Sequence, residues 1–195
     1  MYRQAQKLNP EFGQKLNHLL TVCDRRGVSM RPYTRTRSPF DQARLWRQSR
    51  PSDEIIRQIA WLRDQGAPFI ADCIDSVGPQ QGPYVTDALP GLSWHQWGEA
   101  ADCLWMVAGQ AEWSFQKQVG GVNGYRLFAE EAAVLGLAAG GLQCAGKKWP
   151  HIQLRPFASP DEIYSLVEID REMQRRFGGV KQECEGVGSE RTICG

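Results

Sequence analysis

Along the N-terminal part of the chain, apolar residues recur at the three- and four-residue spacing of a single helix face. Phe12, Leu16, Leu19, Leu20 and Cys23 follow Asn9-Pro10, an N-cap with proline in the first turn, and Gly27 closes that helix. Val28 to Tyr33 reads as a strand. Ser38-Pro39 starts a second helix through Trp46, and Ser52-Asp53-Glu54 starts a third carrying Ile55, Ile56, Ile59 and Leu62. A shorter fourth helix covers Phe69, Ile70, Cys73 and Val77. From Gly78 to Leu92, Gly, Pro and Gln replace the periodic pattern and predict a long loop, of a length that usually carries function. Ala100 to Val107 then reads as a buried strand with Asp102 near its start, and Tyr125 to Leu135 as a helix ended by Gly136. Leu137 to Ala139 and His151 to Leu154 are short strands. Ser159-Pro160-Asp161-Glu162 caps a last helix carrying Ile163, Leu166, Val167 and Met173. The pattern contains no internal repeat and predicts one α+β domain over 1–178, followed by a Gly-rich tail over 179–195.

At 195 residues the chain can bury a substantial core without disulfides. Its 23 Lys and Arg against 22 Asp and Glu give no overall electrostatic pull towards nucleic acid or a membrane surface. No apolar run is long enough to span a bilayer, so membrane insertion is not expected. The start, Met-Tyr-Arg-Gln-Ala-Gln-Lys, lacks the apolar core of a signal peptide, which predicts a chain made in the cytoplasm or already mature. None of the six cysteines falls in a C-x-x-C pair, so a cysteine zinc site is unsupported. Cys184 and Cys194 flank the tail and either close it as a disulfide loop or remain two thiols on a terminus.

Only three histidines are present. His18 lies between Asn17 and Leu19 in the first helix and reads as a surface residue. The others lie in Ser93-Trp94-His95-Gln96-Trp97-Gly98-Glu99-Ala100-Ala101-Asp102 and in Trp149-Pro150-His151-Ile152-Gln153. His95, Asp102 and His151 have the composition of a catalytic zinc site, two imidazoles and one carboxylate, with a fourth position open for water. A lone histidine in such a place would read as a hydrogen-bonded core residue. The first stretch, however, matches Ser-x-His-x-x-Gly-x-Ala-x-Asp at every fixed position. In this it resembles the zinc D,D- and L,D-peptidases that cut bacterial peptidoglycan stem peptides, which include vancomycin-resistance carboxypeptidases and phage endolysin peptidases.

The resemblance implies a Hedgehog/DD-peptidase-like fold, in which a small antiparallel sheet carries the zinc ligands and helices flank it. It extends to Arg35-Thr36-Arg37-Ser38-Pro39-Phe40-Asp41-Gln42-Ala43-Arg44-Leu45-Trp46, similar to the family's Arg-Ser-x-x-x-Gln-x-x-Leu segment. There the arginine contacts substrate and stabilises the developing oxyanion. Arg37 matches it, with Arg35 as second choice. Ser93 matches the motif serine, expected to bind substrate or brace the metal loop. Trp97 and Trp149 are candidates for the groove wall, and Gln153, on the strand face of His151, for a substrate contact or a partner behind the metal ligands. One position departs from the pattern. The family places a carboxylate three residues before the last zinc histidine as general base, and here that residue is Lys148. Either Lys148 is neutral and acts itself, or Glu99 substitutes, or hydrolysis is slow or absent. The expected activity is Zn2+-dependent hydrolysis of a stem-peptide bond, L-Ala–D-Glu or a D,D-/L,D-carboxypeptidase link, through a metal-activated water. A non-catalytic zinc-containing wall-binding domain is the alternative. Either would work in the periplasm or cell wall, delivered by phage lysis or a secretion machine, with an immunity or delivery protein as a further partner.

Overall fold

The computed structural model describes residues 8–34, 37–143 and 148–179. The Gly-rich tail and its cysteines lie outside the described residues, as does Arg35. Helix α1 (Pro10–Arg25) begins where Asn9 Oδ1 accepts from the backbone N–H of Glu11 and Phe12, and it buries Phe12, Leu16, Leu19 and Cys23. His18 lies on its exposed side. Strand β1 (Ser29–Thr34) follows, then α2 (Pro39–Arg47), α3 (Ser52–Asp64) and α4 (Pro68–Ser76). The expected long loop runs without helix or strand from there to β2 (Ala100–Val107).

Strand β2 is the centre of the sheet. It pairs antiparallel with β1 along one edge, and with β5 (His151–Gln153) and β3 (Gln110–Glu112) along the other. β4 (Ala138–Ala139) adds to β5 and completes the order β1-β2-β5-β4, so the α+β expectation holds among the described residues. Strand β3 was not expected from the sequence. It returns from β2 through Ala108-Gly109, both at positive φ (49° and 81°), the two-residue turn whose twist suits a hairpin.

The two faces of β2 have different fates because side chains alternate. Ala101, Cys103 and Trp105 are buried among α1, α5 (Gly124–Val134) and Ile152, whereas Asp102, Leu104 and Met106 on the opposite face are only partly covered. A second core gathers α2, α3, α4 and α7 (Leu166–Phe177) around Trp94 and Trp97, and Ala100 joins it from β2. Helix α7 closes this core and caps α4: buried Asp170 accepts from the N–H of Ile70 at 2.8 Å, where the N-cap of α4, Ala67, has no capping side chain.

The last helix begins later than the sequence suggested. Ser159 caps only a 3-10 turn over Pro160–Glu162, and a second capping box, Ser165 with Glu168, starts α7. A four-residue helix α6 (Gly140–Gln143) precedes the second histidine stretch. No helix among the described residues is long and apolar enough to cross a membrane.

Candidate metal centre

The turn that carries His95 is held from both sides. Trp94 Nε1 donates to the Phe157 carbonyl at 2.8 Å and Trp97 Nε1 to the Gly91 carbonyl at 2.9 Å. Gly98 takes φ 70°, and its carbonyl accepts from the Asn9 N–H at 2.9 Å, so the chain bends sharply from the His95 turn into β2. Asp102 and His151 are register partners on β2 and β5 and share a sheet face. His95, Asp102 and His151 thereby meet. Their ligand atoms lie within 4.8 Å of one another and could hold a metal ion.

The contacts define which atoms converge. His95 Nε2 is 3.4 Å from Asp102 Oδ2, and His151 Nδ1 is 3.0 Å from Asp102 Oδ1. Ligands about 2.1 Å from a tetrahedral ion are about 3.4 Å apart, so these spacings suit one small cation. Gln153 decides the His151 tautomer. Its Nε2 donates to the carbonyls of Arg155 (2.8 Å) and Phe157 (2.7 Å), which turns Oε1 towards His151 Nε2 at 2.9 Å. That nitrogen must then carry the proton, and in neutral His151 the Nδ1 lone pair faces the Asp102 carboxylate. An Nδ1–H donates to that carboxylate, whereas a bare Nδ1 offers its lone pair to a cation between the two. Burial holds the His95 pKa down to about 4, against the pull of Asp102 and with small further lowering from His151 and Arg37. His95 is therefore neutral at physiological pH, the form a metal requires. Its other ring nitrogen, Nδ1, is buried with no hydrogen-bond partner among the described residues, so the brace behind His151 has no counterpart there.

No family model matches the chain, and no curated protein matches it. The centre therefore stands on its own geometry.

The other expected site residues divide sharply. Arg37 is near enough for its charge to act on His95, and its Nη1 donates to Gln42 Oε1 at 3.0 Å. Gln42 is fully buried, with Nε2 on the Ala88 carbonyl at 2.7 Å, so the amide ties Arg37 to the long loop. This positioning role was missed, although Gln42 stands in the segment that suggested Arg37. The Ser93 carbonyl closes the His95 turn by accepting from the Gln96 N–H at 2.9 Å. Trp149 is half-buried, packed flat on Gly141 of α6, where an added Cβ would come 2.2 Å from its ring. Gln153 is 6% exposed and fully engaged behind His151, which makes it a positioning residue rather than a substrate contact.

Three expectations are corrected. Trp97 does not wall a groove at the metal centre: it is 7% exposed, stacked on Tyr164 at 4.9 Å and set in the second core. The cleft of about 380 Å3 that it lines contains Glu99 and α7 side chains but none of the three ligands. Glu99 is no substitute base. It lies an odd number of residues from Asp102 along extended chain, is 4% exposed, and is bound by Arg155 (2.7 and 3.2 Å) and Asn9 (2.9 Å). Lys148 stands directly before the second histidine stretch, and its carbonyl accepts from the His151 N–H at 3.0 Å. Its side chain is exposed rather than buried.

Proposed function

We propose that this chain is a zinc-dependent peptidase acting on peptidoglycan stem peptides, in the periplasm or cell wall. The observation that carries this reading is the convergence of His95 Nε2, the Asp102 carboxylate and His151 Nδ1, with Arg37, held by Gln42, near enough for its charge to act on His95. When bound, zinc would supply Lewis acidity towards a peptide carbonyl and a lowered pKa for water. His95, Asp102 and His151 hold the ion, and Gln153 keeps His151 in the tautomer that presents Nδ1. Arg37, oriented by Gln42, binds the carbonyl or carboxylate oxygen of the peptide at the centre through its planar fork of donors. The choice of peptidoglycan rests on the resemblance of the two histidine stretches and the Arg37 segment. The bond cut is L-Ala–D-Glu or a D,D-/L,D link.

A second reading, a zinc-containing wall-binding domain with little or no turnover, is favoured by one observation. Neither Lys148, which is exposed, nor Glu99, which is bound by Arg155, serves as the expected carboxylate base. Digestion of purified peptidoglycan by the zinc-loaded protein separates the two, with released muropeptides read by mass spectrometry. The peptidase reading expects one new amine terminus, which identifies the bond. Wall binding without any new terminus supports the second reading. Lys148→Asp is the informative variant: a rise in turnover shows that the base was missing, and a loss shows that the lysine works.

A further inference from the structure

Among the described residues, no helix core covers the outer face of β2. Leu104 and Met106 belong to neither hydrophobic core, although both lie on the strand that carries Asp102. Across this face lies an aromatic pair. Tyr33 on β1 and Trp113, just past β3, stand on opposite edges of β2, yet their rings meet edge to face at 6.4 Å and 76°. They must therefore reach towards each other over β2. The buried face there is filled by Cys103 and Trp105, whereas Tyr33 and Trp113 are 52% and 64% exposed, so the pair crosses the open side above Leu104. Arg31 faces Leu104 in the β1–β2 ladder and shares that side. Its guanidinium is exposed and makes no hydrogen bond or ion pair with any described residue. Two exposed aromatic rings and a cation with no partner among the described residues thus lie on one sheet face, apolar contact area beside a positive charge.

We propose that this face is a subsite for an acidic peptide, with Tyr33 and Trp113 packing on its apolar groups and Arg31 binding a carboxylate. Leu104 is two residues from Asp102, so the subsite begins about 7 Å along β2 from the metal centre. The charge selects the occupant. A neutral sugar would use the rings alone, whereas a carboxylate uses the exposed Arg31 guanidinium as well. The inference rests on the peptidase reading for the identity of the peptide: a stem peptide with its scissile bond at the centre would extend across β2 and place an acidic residue on Arg31.

Binding of a soluble stem peptide, and of the same peptide with its carboxylates amidated, to the chelator-treated full-length protein tests this by calorimetry. Trp113→Ala and Arg31→Gln change exposed side chains, and circular dichroism checks their folding. Each is expected to weaken binding about tenfold, and Arg31→Gln to erase the preference for the carboxylate form. Binding by both variants within about twofold of the parent overturns the subsite, even if the parent cuts wall peptides. A parent that binds no acidic peptide overturns it too. Binding of N-acetylglucosamine oligomers that depends on Trp113 but not on Arg31 overturns it in favour of a sugar. A parent that cleaves no wall peptide but binds acidic peptides through Arg31 and Trp113 keeps the subsite and refutes the peptidase reading.

Discussion

Gln153→Leu isolates what the second histidine needs from its surroundings. The substitution keeps the approximate volume of a buried side chain but removes three hydrogen bonds, at 2.9 Å to His151 Nε2 and at 2.8 and 2.7 Å to two backbone carbonyls. Without the acceptor at Nε2, His151 no longer prefers the tautomer that presents Nδ1 to Asp102. Loss of such a brace behind a metal ligand costs about 10–100-fold in metal affinity, or about 1.4–2.7 kcal/mol. Stability falls for a separate reason. The Phe157 carbonyl keeps the Trp94 indole as a donor at 2.8 Å, but the Arg155 carbonyl loses the Gln153 donor, so the expected cost is about 1–3 kcal/mol. Gln153→Glu separates these effects. It retains an acceptor for His151 but places an oxygen against two carbonyls, so zinc affinity should persist while stability falls. Zinc competition with a chromophoric chelator reads the first quantity, and thermal unfolding of the metal-free protein reads the second. If Gln153→Leu binds zinc within about twofold of the parent, the tautomer argument is wrong.

Glu99→Gln should leave zinc affinity unchanged, since the carboxylate is engaged by Arg155 and Asn9, but should lower the melting temperature by weakening the part-buried pair with Arg155. A drop in zinc affinity without a stability change would restore Glu99 to the site. Asp170→Ala removes the side chain that accepts from the first turn of α4 and should cost about 1–2 kcal/mol in chemical denaturation, with zinc affinity unaffected. Stability should also fall in acid through Glu172, whose carboxyl is held down to about 2, first by Arg175 and then by Arg176, against partial burial. Because the folded pKa is depressed, this stabilisation is present above the ordinary carboxylate value and is lost as pH falls from about 4.5 towards 2. Glu172→Gln should flatten the melting temperature across that interval by an amount equivalent to about 1–2 kcal/mol, discounted for solvent screening.

Much of the centre was legible because it depends on short-range pattern. The alternation along Ala100 to Val107 places Asp102 opposite the buried Cys103, and the same two-residue period puts Gln153 beside His151. The period also argues against Glu99, three residues from Asp102, a point that proximity in sequence obscured. The rest depends on partners distant in the chain. Arg155 engages Glu99 from 56 positions away, and the Gly91 carbonyl together with Tyr164 makes Trp97 a core residue rather than a groove wall. Strand β3 escaped notice because Gln110–Glu112 is too short to show alternation, and Ala108 gives no turn signal although it takes positive φ. Two capping serines in succession, Ser159 and Ser165, made a short 3-10 turn and α7 look like one helix.

The central claim is that three side chains from a turn and two strands form one metal site. Metal analysis of the purified, zinc-equilibrated protein tests it most directly, alongside His95→Ala, Asp102→Ala and His151→Ala variants shown by circular dichroism to be folded. The site predicts one zinc ion per parent chain and its loss from each variant. A parent without bound zinc, or variants that retain it fully, would contradict the account.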